Sequence, residues 1–107
     1  MQKRKRVVNP ELLAKVRSLG CVVCSDERKP QTYITHAHHI KSRGASGDDT
    51  ELNLLPLCAL HHRLIHSQGL TTFSRKHRVI WDLLLQMGWE LNEVSGKWFG
   101  PSSSEPH

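Results

Sequence analysis

Apolar positions recur with a helical period toward both ends of this chain and with a strand-like period in its middle. Asn9-Pro10 opens the first helical stretch, with Asn as N-cap and Pro at the first helical position. Leu12, Leu13, Val16 and Leu19 then repeat at helical spacing, and Gly20 is a natural stop. Cys21-Val22-Val23-Cys24 reads as a tight knuckle, and the charged residues 25–31, which include Pro30, read as a loop. Thr32-Tyr33-Ile34-Thr35 is β-branched and aromatic and begins a strand predicted to run to Ile40. Residues 41–50, with Gly44, Gly47 and paired aspartates, form a flexible polar loop, and residues 52–57 are the returning strand. Pro56 belongs at an edge or end of that strand, because it has no N–H for the ladder. A helix follows over residues 59–67, with Gly69 just beyond it. His62 and His66 share one face of this helix, while Leu60 and Leu64 share nearly the opposite one. Thr71 or Thr72 caps the last long helix, along which Phe73, His77, Ile80, Leu84 and Met87 form an apolar stripe ended by Gly88. Residues 89–99 can form a hairpin around Ser95-Gly96.

At 107 residues the chain is one domain, placed at residues 9–99. A flexible basic arm (residues 1–8, with Lys3-Arg4-Lys5-Arg6) precedes it and a disordered tail (residues 100–107) follows. A core this small is marginal alone, so a bound metal would be a natural staple. No run approaches the roughly 18 apolar residues of a membrane span. No apolar region follows the basic start, so the expected location is cytoplasmic, as a monomer or weak dimer. The formal charge of +5 favours a polyanionic partner, and the arm reads equally as a phosphate-contacting segment or as a solvated tail.

Candidate chemistry concentrates in residues 36–66, which hold six of the eight histidines and one of the three cysteines. Histidine is the commonest metal ligand, so the crowding points to metal chemistry. Two pairs share one spacing, Cys21/Cys24 and Cys58/His61, with 33 residues between Cys24 and Cys58. Brought together they make a closed tetrahedral Cys3His site for structural Zn2+. The alternative, a Cys21/Cys24 redox couple with Cys58 as a buried apolar residue, leaves His61 unexplained and lacks a thioredoxin-like βαβ pattern.

What remains is His38-His39, Asn53, and His62 with His66. As Ala37-His38-His39-Ile40, Asn53-Leu54-Leu55-Pro56-Leu57-Cys58 and His61-His62-Arg63-Leu64-Ile65-His66, this resembles the HNH endonucleases, the ββα-metal (His-Me finger) family. The resemblance covers roughly residues 21–66, and the bracketing zinc pairs match a large subgroup of that family. One departure is that the fourth zinc ligand, often Cys there, would here be His61.

The resemblance implies an α+β fold: a small ββα-metal core over about residues 21–68, a two-pair structural zinc site and flanking helices. It implies an HNH-type endonuclease that hydrolyses phosphodiester bonds of DNA, expected to be double-stranded, leaving 5′-phosphate and 3′-hydroxyl ends. In that scheme His39 is the general base, Asn53 orients His39 by hydrogen bonding, and His38 and His62 hold one catalytic divalent metal, Mg2+ or Mn2+. His66 is a third ligand or a phosphate contact. Adjacent His38 and His39 should face opposite sides of a strand, which separates their roles. Lys41, Arg43 and Arg63 flank the site as candidate phosphate contacts. Two other classes stay open: a zinc-stabilised DNA-binding module without catalysis, and a nuclease acting on RNA.

Overall fold

The computed structural model describes residues 5–42, 44 and 47–101. Residues 1–4 of the expected arm, most of the expected tail (residues 102–107) and the candidate Arg43 lie outside that set.

Two antiparallel strands and one helix form the centre. β1 (Thr35–His39) pairs with β2 (Leu54–Cys58), with His38 opposite Leu55 and His39 opposite Leu54. β1 begins later than the expected strand, and a turn of 3-10 helix, Glu51–Asn53, occupies the start of the expected return strand. Pro56 is tolerated because a two-stranded sheet leaves each strand an open side, where a missing N–H costs no ladder bond. β2 then runs straight into α3 (Ala59–Gln68), completing the ββα order.

The flanks pack this unit from two sides. α1 (Pro10–Ser18) is capped as its sequence indicates, Asn9 Oδ1 accepting from the Leu12 amide at 3.0 Å. Its Leu13 and Val16 pack with Leu54 in a small cluster, whereas Leu19 lies outside the stripe and is exposed. The larger core joins Val23, Leu55, Leu57, Ile65, Phe73, Ile80, Leu84, Trp89 and Trp98.

Three local expectations are corrected. The knuckle is the start of a short helix, α2 (Val22–Asp26), so Ser25 and Asp26 are helical rather than loop. The expected long helix is two, α4 (Leu70–Lys76) and α5 (Arg78–Gln86), broken at His77 with φ −121° and ψ 94°. The break lets Phe73 and Ile80 both bury completely while the polar ring between them turns its Nδ1 toward Glu27 Oε2, 3.6 Å away. Thr71 is no cap: it sits inside α4, and its hydroxyl donates to the Gly96 carbonyl at 2.5 Å. That bond ties α4 to the expected hairpin, β3 (Glu90–Asn92) with β4 (Lys97–Phe99). Gly69, at φ 86°, makes the sharp turn from α3 to α4 that a side chain would resist.

Candidate functional site

The four expected zinc ligands converge. Cys21 caps α2 and its sulfur accepts from the Cys24 amide at 3.5 Å, which turns both thiols to one side. Cys58 ends β2 and caps α3, placing His61 in the first turn of that helix. The His61 Nδ1 lies 3.4, 3.6 and 3.2 Å from the sulfurs of Cys21, Cys24 and Cys58, and the Cys24 and Cys58 sulfurs are 3.9 Å apart. Zinc bonded at about 2.3 Å to sulfur and about 2.0 Å to nitrogen would make tetrahedral edges of roughly 3.8 and 3.6 Å. All four side chains are buried, so the set forms a closed zinc-type site. Burial, and then the neighbouring Cys21 and Cys58, push the Cys24 thiol up to about 12. Without a cation such thiols resist ionising together, and a dication supplies the missing charge.

A second group lies on the other face of α3. His38 from β1 and His62 and His66 from α3 each place one ring nitrogen within 4.8 Å of the others. The Nε2 atoms of His62 and His66 are 3.1 Å apart. Two imidazoles sharing one metal at about 2.0–2.1 Å would show a separation of roughly 2.9–3.4 Å. Burial, then His62, His66 and His39, push the His38 imidazole down to about 3, so it is neutral with a free lone pair near pH 7. Its Nδ1 is buried with no hydrogen-bond partner among the described residues, as expected of a ring awaiting an ion or water. Burial, then His66 and His36, also hold His62 low. Unlike the zinc group, this one grades from buried His38 through half-buried His62 to exposed His66.

His36 belongs here too. Its Nδ1 lies 2.7 Å from the Nδ1 of His62, the nitrogen facing away from His66. The signal was its spacing: His36 and His38 are two apart on a strand and share a face.

His39 points elsewhere, as adjacency on a strand requires. Its Nε2 lies 2.6 Å from Asp49 Oδ1. Among the described residues the Asn53 side chain makes no bond to the His39 ring, the contact the resemblance implies. Asn53 instead clamps the loop, its Oδ1 accepting from the Lys41 amide at 2.7 Å and its Nδ2 donating to the carbonyls of Lys41 and Asp48 at 3.0 and 2.9 Å. Burial raises the Asp49 carboxyl, but the His39 bond, the Asn9 amide and the charges of His39 and Arg6 outweigh it and hold it below its ordinary range. No local pattern flags Asp49, whose partners are mostly some 40 residues away.

The cation candidates divide. Lys41 has an exposed side chain on a backbone that Asn53 grips. Arg63 is exposed and lines a groove with Tyr33, Ala59 and Leu60. The Tyr33–Leu60 side of that groove continues past Cys58 and His61, so it borders the zinc face.

Residues 21–68 match the family model of the HNH endonuclease. The HNH match starts at the first zinc cysteine and ends with α3, so it takes in both metal groups, His39 and Asn53. It shows that this segment is similar to HNH endonuclease domains, in accord with the small α+β, ββα architecture. No curated protein and no solved structure gives a significant match.

Proposed function

We propose that the HNH domain hydrolyses phosphodiester bonds of duplex DNA, with His39 as general base and His38, His62 and His66 holding one divalent cation. The observation that carries this reading is the convergence of three imidazoles one strand position from a histidine facing a carboxylate. Open, partly exposed metal groups suit catalysis, where closed ones suit structure. When bound, the cation would supply positive charge against the developing charge on phosphate and on the leaving oxygen.

The chain's own part is proton handling and positioning. A water gives its proton to His39 as its oxygen bonds to phosphorus. The bond from phosphorus to the 3′ oxygen breaks, and that oxygen takes a proton from solvent. The ends are a 5′-phosphate and a 3′-hydroxyl. The +5 charge and exposed Lys41 and Arg63 favour approach of a polyanion. Donor chemistry refines the choice of cation. Three imidazoles without a carboxylate suit a borderline first-row ion such as Zn2+, Co2+ or Ni2+ better than the oxygen-seeking Mg2+ or Mn2+.

Supercoiled plasmid incubated with purified protein and each of these ions tests the reading. Conversion to open circle, stopped by EDTA and reduced at least about 10²-fold in His39→Ala, is expected. Duplex binding without cleavage under every ion would favour the zinc-stabilised binding module. Faster cutting of structured RNA than of DNA would favour the RNA nuclease.

A further inference from the structure

The N-terminal segment, expected to be an arm for phosphates, is joined to the loop behind His39. The Val7 amide donates to Asp48 Oδ1 at 2.8 Å, and the Asp49 amide donates to the Val7 carbonyl at 2.9 Å. Arg6 donates to Asp49 Oδ1 at 3.1 Å and to the Gly47 carbonyl at 3.3 Å. The Asn9 amide, at the mouth of α1, donates to Asp49 Oδ2 at 2.9 Å. From the other side Asn53 holds the Asp48 carbonyl, and Gly47 is pressed so tightly that a Cβ there would fall on the Lys41 carbonyl. The Asp49 carboxylate is therefore fully enclosed, and both its oxygens are engaged.

An ionised carboxylate can only accept hydrogen bonds. Its 2.6 Å contact with His39 Nε2 requires the proton to sit on that nitrogen. A neutral His39 then carries its lone pair on Nδ1. We infer that Asp49 is a positioning residue that fixes the ring and tautomer of His39, and that Arg6 and the Asn9 amide fix Asp49 in turn. This rests on the proposal that His39 is the base, and it makes residues 6–9 part of the nuclease centre rather than an accessory arm. Arg6 is then committed to a carboxylate and is a poor candidate for a phosphate contact.

A structural clasp would show the same bonds, so the test must ask whether Asp49 acts through His39. Plasmid nicking and duplex affinity are measured for the zinc-loaded parent, Asp49→Asn, Arg6→Gln, His39→Ala and the Asp49→Asn/His39→Ala double variant, with zinc content checked in each. Asp49→Asn is expected to lower kcat roughly 10²-fold with duplex affinity within about threefold. Arg6→Gln is expected to lower it less, about tenfold. In the His39→Ala background Asp49→Asn should cost nothing more, because the residue it positions is gone. Equal losses in both backgrounds, or Asp49→Asn cutting within twofold of the parent, would overturn the inference. Proton NMR of the parent gives a readout independent of cleavage. A slowly exchanging, strongly downfield His39 Nε2–H that disappears in Asp49→Ala of full zinc content is expected, and its absence from the parent overturns the inference. If His39→Ala cuts as fast as the parent while that signal is present, the general-base reading has failed and the Asp49–His39 contact has not.

Discussion

The two faces of α3 carry two groups of candidate metal ligands built on opposite principles. His61 looks toward three cysteines in a closed, buried set contributed by α2 and the end of β2. His62, the next residue, looks toward His38 and His66 in a set that opens to solvent at His66. One group satisfies all its donors internally and leaves no position for substrate. The other leaves its metal position accessible and stands beside His39 and its carboxylate. Sharing a helix links them, since whatever fixes His61 also fixes the pitch and rotation at which His62 and His66 meet β1.

The first way to break the contrast is to open the closed side. Cys24→Ser removes a ligand from the core-facing set, and structural zinc in small peptides contributes on the order of 10 kcal/mol to folding. The expected outcome is loss of bound zinc by elemental analysis together with loss of the cooperative thermal transition. A Cys24→Ser protein that melts like the parent would remove the structural role. On the open side, His62→Ala should leave melting and the one zinc that survives mild chelation nearly unchanged while plasmid nicking falls by about 10²-fold or more. Equal melting losses for both variants would erase the distinction between the two faces.

Readability from sequence followed the range of the interactions. The Asn9-Pro10 cap, the two zinc pairs and the ββα order rest on residues a few positions apart, and each was in place in the structure. Of the three-histidine group, helical spacing gave the shared face of His62 and His66, and the family resemblance added His38 from β1. What escaped depends on distant partners. Asp49 reads as one of two loop aspartates until Arg6 and Asn9 close over it. Asn53 has the right type and place, yet its amide serves the Lys41–Asp48 loop rather than the ring of His39. The break at His77 is set by Glu27 and the core around Phe73, neither visible in a helical stripe.

A finer test concerns support of the open group. If His62 binds metal through Nε2, its Nδ1–H donates to His36 Nδ1 across 2.7 Å, the kind of outer contact that fixes a ligand's tautomer. His36→Ala should weaken metal binding by roughly 10–100-fold by titration calorimetry with Co2+ or Ni2+ of protein carrying one zinc per chain after mild chelation. His36→Asn, whose amide oxygen can accept in nearly the same place, should recover much of it. An unchanged affinity in His36→Ala would confine His36 to packing.

The smallest expected effect is a pH dependence belonging to the open side alone. His38 has its ordinary value near 6.5 unfolded and is pushed down to about 3 in the fold by burial and by His62, His66 and His39. Between those limits the unfolded chain binds the extra proton and the folded chain does not, so stability rises with pH through that window. Above about 6.5 both states are neutral at this ring and the contribution is level; as pH falls toward 3 the penalty accumulates, at up to about 1.4 kcal/mol per pH unit. Acid also attacks the thiolate side, so the parent's slope alone would not isolate the ring. His38→Gln retains the whole Cys3His group and removes only this titration. Urea unfolding of zinc-loaded protein from pH 7 down to the point where zinc dissociates should show a shallower stability-versus-pH slope for His38→Gln than for the parent. Identical slopes would mean that His38 accepts a proton in the folded protein as readily as in the unfolded one, and burial would then not be what keeps this ring neutral.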